Sequence, residues 1–189
     1  MDPIGIDENG ELYCPEVTEV PQYAPGVLEH PELGNGAGLL PLTFMQRPEA
    51  SSAAPGRDAI YASDESVLSW WQPQSMDPEP CITFPLGVYS AYSVSSFRII
   101  WRDINMETLD GIMPGPFRYV VEYTAAAGSK EWKVLLDASD NQQDLCIDYR
   151  QFEPVNAYDV RLRITGAPEG ITPGLVSFTV FGRTARTKK

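Results

Sequence analysis

Six short runs in the second half of the chain alternate apolar and polar residues with a period of two. Phe97, Ile99 and Trp101 alternate with Arg98 and Ile100, and Phe117, Tyr119, Val121 and Tyr123 with Arg118, Val120 and Glu122. Trp132, Val134 and Leu136 form the third run, and Leu145, Ile147 and Tyr149 the fourth. Val160, Leu162 and Ile164 alternate with Arg161 and Arg163, and Val176, Phe178 and Val180 with Ser177 and Thr179. A period of two buries one face of a strand and wets the other, as in antiparallel sheets. No stretch keeps a helical period for about ten residues without Pro or Gly. Segments such as Met113-Pro114-Gly115-Pro116 and Gly166-Ala167-Pro168-Glu169-Gly170 read as loops, because Pro cannot join a central ladder. The fold class is therefore all-β, an antiparallel β-sandwich.

Charge divides the chain. Fourteen basic and 26 acidic side chains give a net charge of −12 over 189 residues. Residues 1–55 hold nine of the acids, a single base (Arg47) and eight of the 17 prolines. That segment has charge −8, which leaves −4 for residues 56–189. Such acidity speaks against a nucleic-acid binder, which needs clustered Lys and Arg, and against an anionic membrane surface. No apolar run approaches the ~20 residues of a membrane span. The start, Met-Asp-Pro-Ile-Gly-Ile-Asp-Glu, has neither the basic nor the apolar region of a secretory leader. Cys14, Cys81 and Cys146 are odd in number and lack metal-ligand spacing, so a disulfide framework or zinc site is not expected. A reducing compartment suits them, unless the chain is a piece of a longer secreted protein.

The residues also carry a family resemblance. Ala62-Ser63-Asp64-Glu65-Ser66-Val67-Leu68-Ser69-Trp70-Trp71 resembles the opening motif of discoidin domains, also called coagulation factor V/VIII type C domains. That motif runs Ala-x-Asp-Gly, a short loop, Thr or Ser, then Trp. Phe84-Pro85-Leu86-Gly87, Phe97 to Trp101, and Tyr119 to Tyr123 with Trp132 resemble later marks of the family. Tyr158 to Ile164 and Phe178 to Gly182 complete six marks in order. The resemblance implies a galactose-binding-like jelly roll over residues 56–184, followed by a basic tail at 185–189.

The first 55 residues divide in two. Residues 4–13 read as strand, Asn-Gly turn and strand, a hairpin too small to stand alone. This stretch, with Val20-Pro21-Gln22-Tyr23-Ala24-Pro25-Gly26, resembles the end of a family 43 glycoside hydrolase propeller. Bacterial enzymes of that family often carry a β-sandwich after the propeller. Residues 1–25 are accordingly read as a hairpin remnant of a catalytic domain, and 26–55 as a Pro/Gly-rich linker. Gly34-Asn35-Gly36-Ala37-Gly38 lacks the preceding strand and the Gly-Lys-Ser/Thr of a phosphate loop. Thr43-Phe44-Met45 is expected to pack back on the sandwich.

Catalysis is not expected of this chain. His30 is the sole histidine and sits between Glu29 and Pro31 in the linker, with nothing around it to build a triad. The paired carboxylates of a family 43 enzyme would lie on the propeller before this segment.

The resemblance implies a sugar site instead, on loops at one end of the sandwich. Its usual pattern is His after the motif Trp, Arg at the end of the next long strand, and Asn shortly after. Those positions fall on Gln72, Arg102 and Asp110 here. No aromatic platform stands near Ser75, but Trp70 can serve if it points outward. Sugars pair an aromatic face with charged and amide hydrogen bonds. The plainer reading makes Arg102 and Asp103 surface loop residues, and Trp71, Trp101 and Trp132 core, with Trp70 open to either. The loop 102–116 carries Ile104, Met106, Leu109, Ile112 and Met113, which suit a partner surface such as the propeller.

The family also implies one structural Ca²⁺, held through Asp64 and Ser69, although Ser177 stands where a last-strand Glu is usual. Asp64 capping its own turn is the alternative. The expected function is a non-catalytic carbohydrate-binding accessory module of a polysaccharide-degrading, family 43-like enzyme. Its partners would be a plant polysaccharide or oligosaccharide and the catalytic domain, with no nucleic acid or membrane. A structural module that packs on the catalytic domain without binding sugar is the alternative.

Overall fold

A computed structural model describes residues 5–14, 39–87, 89–102, 116–168 and 171–185. His30, Asp103, Asp110, the glycines at 34–38 and the apolar residues of the 102–116 loop lie outside the described residues.

Strands β1 (Gly5–Ile6) and β2 (Leu12–Tyr13) form the N-terminal hairpin. Asp7 closes its turn by accepting from the Asn9 and Glu11 amides, each at 2.9 Å. Gly10 supplies the left-handed φ of +84° that the turn requires.

The remaining strands make two antiparallel sheets. One runs β4 (Glu49–Ala50), β5 (Cys81–Pro85), β10 (Asp159–Gly166), β7 (Arg118–Thr124), β8 (Lys133–Ala138). The other runs β3 (Leu40–Pro41), β11 (Leu175–Thr184), β6 (Tyr92–Trp101), β9 (Ile147–Ala157). This is the expected all-β sandwich. Within the segment 26–55, residues 40–50 give one edge strand to each sheet. Thr43 is buried between them: its hydroxyl donates to the Phe178 carbonyl at 2.8 Å and accepts from the Val180 amide at 3.0 Å. Leu42 is buried with it, whereas Phe44 and Met45 are exposed.

Between the sheets lie Phe84, Phe97, Ile99, Trp101, Phe117, Tyr119, Leu162 and Phe178. Trp101 stacks on Phe117 with centroids 4.4 Å apart, and Phe178 meets Phe84 and Phe97 edge to face. Trp71 is fully buried, as the core reading requires.

Three alternating runs depart from expectation. Ile147 is 58% exposed, and Tyr149 is exposed too, so this run faces outward; Asp148 and Phe152 take the inner face. The inward phase of β9 is set by a carboxylate, which a hydrophobicity pattern cannot reveal. In β8 a bulge breaks the phase: Val121 pairs with Leu136, but Glu122 with Val134. Leu136 therefore packs on the core while Val134 is exposed. Trp132 is half-buried outside the core, under the Arg161 guanidinium at 4.2 Å, which corrects the core reading. In β11 both faces are buried, Ser177 and Thr179 included, because residues 59–65 cover the outer side.

Candidate functional site

The start of β11 organises one end of the sandwich. Leu175 pairs with Trp101 at the end of β6 and exchanges two main-chain hydrogen bonds with Trp71, at 2.9 and 2.8 Å. The Trp71 side chain drops into the core, where its indole N–H donates to the Ser52 carbonyl at 2.9 Å. Alternation about Trp71 turns Trp70 and Gln72 the other way, and both are half-buried. Arg102 follows Trp101 out of β6, its amide held by the Gly174 carbonyl at 2.8 Å, and its side chain is exposed.

Residues 54–57 complete the arrangement. In Ala54-Pro55-Gly56-Arg57, the Arg57 amide donates to the Ala54 carbonyl at 2.9 Å, and Gly56 has φ +70°. Pro at the second position and a left-handed Gly at the third make a type II turn, a conformation that a Cβ at position 56 would strain. Two further main-chain bonds fasten this turn to Gln72: Ala54 N–H to the Gln72 carbonyl at 2.8 Å, and Gln72 N–H to the Arg57 carbonyl at 3.4 Å. Arg57 is thereby laid on Trp70, its guanidinium carbon 3.3 Å from the ring centroid. The Arg102 guanidinium lies 4.9 Å from the same centroid. Gln72 accepts from the Trp70 indole N–H at 3.3 Å, which leaves its amide nitrogen to donate elsewhere.

Trp70, Gln72 and Arg102, three residues singled out in the sequence, thus meet at one place. Asp110, the fourth, lies outside the described residues. Arg57 was missed. Its signal was the Pro-Gly turn at the boundary between linker and sandwich, which fixes a local bend but gives no hint of the tryptophan the bend approaches. The cluster offers an indole, two guanidiniums and an amide donor, groups that recognise hydroxyls and anions. It contains no nucleophile and no general base.

The turn expected to hold calcium closes on itself. Asp64 accepts from the Ser66 amide at 2.9 Å and from the Ser69 hydroxyl at 2.7 Å. Ca²⁺ takes about six to eight oxygens, with carboxylates prominent among them. The next carboxylate, Glu65, is bound by Arg98 and by the Thr179 hydroxyl, so a cation already serves it. Among the described residues no three His, Cys, Asp or Glu side chains group to hold a metal. The donor set fits a capped turn and falls short of a calcium cage.

The loop between β8 and β9 opens at the same end of the sandwich, where the Trp101 amide donates to the Cys146 carbonyl at 2.9 Å. An open cavity of about 370 Å³ there is lined by Asp137, Asp140, Asn141, Gln143 and Arg150 among others. Arg150 grips the buried Asp148 with an ion pair, Nε lying 2.6 Å from Oδ1, and with one hydrogen bond, a terminal nitrogen donating to Oδ2 at 3.1 Å. Asp148 also accepts from the Tyr119 hydroxyl of the opposite sheet at 2.7 Å. Burial, reinforced by the carboxylate, pushes the Tyr119 phenol well above its ordinary value. The bond to Asp148 raises the Arg150 guanidinium in turn. This triad is a strut between sheets.

Comparison with known proteins finds the architecture repeatedly. No family model matches the sequence, and no curated protein matches it. Among solved structures, chitosan-binding module 1 of a chitosanase/glucanase from Paenibacillus sp. IK-5 superposes with TM-score 0.61 at 22% identity, over 76% of this chain and 99% of that one. Module 2 of the same enzyme, in complex with chitotriose, gives 0.60 at 21% identity, over 74% and 98%. The family 32 carbohydrate-binding module of Clostridium perfringens NanJ, in complex with galactose, gives 0.58 at 16% identity, over 76% and 97%. The chain therefore has the galactose-binding-like β-sandwich fold of these carbohydrate-binding modules.

Proposed function

We propose that this chain is a non-catalytic carbohydrate-binding module that recognises a glycan through Trp70, Gln72, Arg57 and Arg102. The observation that carries the reading is the convergence of Arg102 and Gln72 on Trp70, at the end of the sandwich where the sequence resemblance locates a sugar site. Structural neighbours named for binding chitosan and galactose support it. Guanidinium and amide donors would hold ring hydroxyls, and the half-buried indole would offer its remaining surface to the apolar C–H patch. The segment resembling the end of a family 43 propeller supports service as an accessory to such an enzyme, with plant polysaccharides as the natural substrate class.

Glycan-array screening followed by calorimetry tests the proposal. Arg102→Ala is expected to weaken binding by about tenfold or more, since a hydrogen bond from a charged donor contributes about 1.5–3 kcal/mol. Lack of binding to any plant or host glycan, with a stable complex between this chain and a family 43 propeller, would establish a structural module instead.

A further inference from the structure

Resting on that reading, we infer that the Trp70 site selects an acidic sugar, one whose ring bears a carboxylate, and that Arg57 makes the selection. Four of the ten arginines of this acidic chain are neutralised by carboxylates where they lie. Arg98 pairs with Glu65, Arg150 with Asp148, and both Arg161 and Arg163 with Glu122. Arg57 and Arg102 differ. No carboxylate among the described residues pairs with either, and both guanidiniums rest on one indole, at 3.3 and 4.9 Å from its centroid. Their carbons are therefore no more than about 8 Å apart, within one Debye length at physiological salt. Two like charges so close repel each other, and an anion bound between or beside them relieves that repulsion while gaining from both.

The arrangement is built by the backbone. The Pro55-Gly56 turn and its two main-chain bonds to Gln72 aim Arg57, and the bond from the Arg102 amide to Gly174 fixes the root of the second guanidinium. A pre-aimed guanidinium loses little further freedom on binding. At 3.3 Å the Arg57 guanidinium is in van der Waals contact with the indole, so a sugar cannot stack there. Recognition at that face passes from the ring to the guanidinium, whose planar fork matches a carboxylate with two parallel bonds. The Gln72 amide remains for a neighbouring hydroxyl. A protonated amino sugar would meet two positive charges and is excluded by the same geometry.

Calorimetry on the full chain with matched oligosaccharides tests this. The probes are galacturonate oligomers, their methyl esters, galactose oligomers, a sulfated galactan and chitosan oligomers. Galacturonate is expected to bind about tenfold or more tighter than its methyl ester or the neutral oligomer, the value of one charged hydrogen-bond pair. Its affinity should fall as salt rises, and chitosan should not bind. Arg57→Gln, confirmed as folded by an unchanged Tm, should erase the preference for the acid, so that galacturonate and its methyl ester bind alike. Equal affinity for acid and neutral oligomers overturns the inference but not the sugar-binding reading. Binding of the sulfated galactan without galacturonate overturns the choice of carboxylate. No sugar binding of any kind overturns both readings.

Discussion

At the scale of single residues, Glu65 is the most informative departure from the family pattern. The motif it resembles carries Gly at that position, and the backbone still adopts the conformation suited to Gly, with φ +55°. A side chain in that region costs about 1–2 kcal/mol. Glu65 offsets the cost with its carboxylate, which reaches Arg98 and Thr179, themselves register partners on β6 and β11. Glu65→Ala should therefore lose the ion pair while keeping the strain. Breaking a largely buried pair costs about 3 kcal/mol or more. Glu65→Gly loses the same pair but relaxes the backbone, and should recover about 1 kcal/mol of that. Denaturant unfolding of the two variants checks the order; an alanine variant as stable as the glycine variant would show that the backbone carries no strain. Such a residue shows what a sequence discloses. Asp64 and Ser69 were recognisable by position, and their mutual hydrogen bond agrees with the plain reading of a capped turn. The partner of Glu65 was not recognisable, because Thr179 lies 114 positions away along the chain.

At the scale of elements, the period-two pattern identified strands more reliably than it identified their faces. β6 and β10 follow the pattern, with Phe97, Ile99 and Trp101, and Val160, Leu162 and Ile164, all inside. β9 inverts it, because its inner face begins with Asp148, and charge on an inward position looks like an outward position until its partners are known. Those partners, Tyr119 and Arg150, come from the other sheet and from the same strand. The strut makes a prediction about alkaline stability. The folded phenol of Tyr119 ionises above its ordinary value of 10.0. Below pH 10 both folded and unfolded phenols hold their proton, and the contribution of the strut is intact. As pH rises further the unfolded phenol ionises first, so the unfolded state binds fewer protons and stability falls. Tyr119→Phe should cost about 1–3 kcal/mol at neutral pH, by leaving Asp148 short of a donor. It should also lose less stability than the wild type between pH 8 and 11. Parallel unfolding curves at the two pH values for both proteins would refute the strut's titration.

At the scale of the whole molecule, the charge of −12 is a sum of unlike parts. Its larger share lies in residues 1–55, whereas residues 56–189 carry −4 and bring to Trp70 two arginines that no carboxylate among the described residues pairs with. Acidity of the whole chain speaks against a nucleic-acid partner, and it conceals a local pair of guanidiniums. The fold could be read because it is a repeated pattern; three members of the candidate cluster could be read because the motif that the sequence resembles indexes them. Arg57 could not, since its place depends on a turn closing against a segment 15 positions onward. Thermal unfolding bears on the metal expectation at this scale. Anything bound only by the folded state raises apparent stability. Because Asp64 and Ser69 satisfy one another, Tm in EDTA and Tm in excess Ca²⁺ are expected to coincide; a rise with Ca²⁺ would show that the folded chain binds the cation.

The sheet edges have a consequence for self-association. Unpaired strand edges invite other chains to add on, and long, flat, apolar edges invite it most. Here β3 and β4 are two residues long, β8 carries Lys133 and Asp137, and β9 carries Glu153 and Pro154. None of the four outer ladders offers a neighbour a long apolar template. Edge-to-edge addition of a second copy is therefore disfavoured at these four strands.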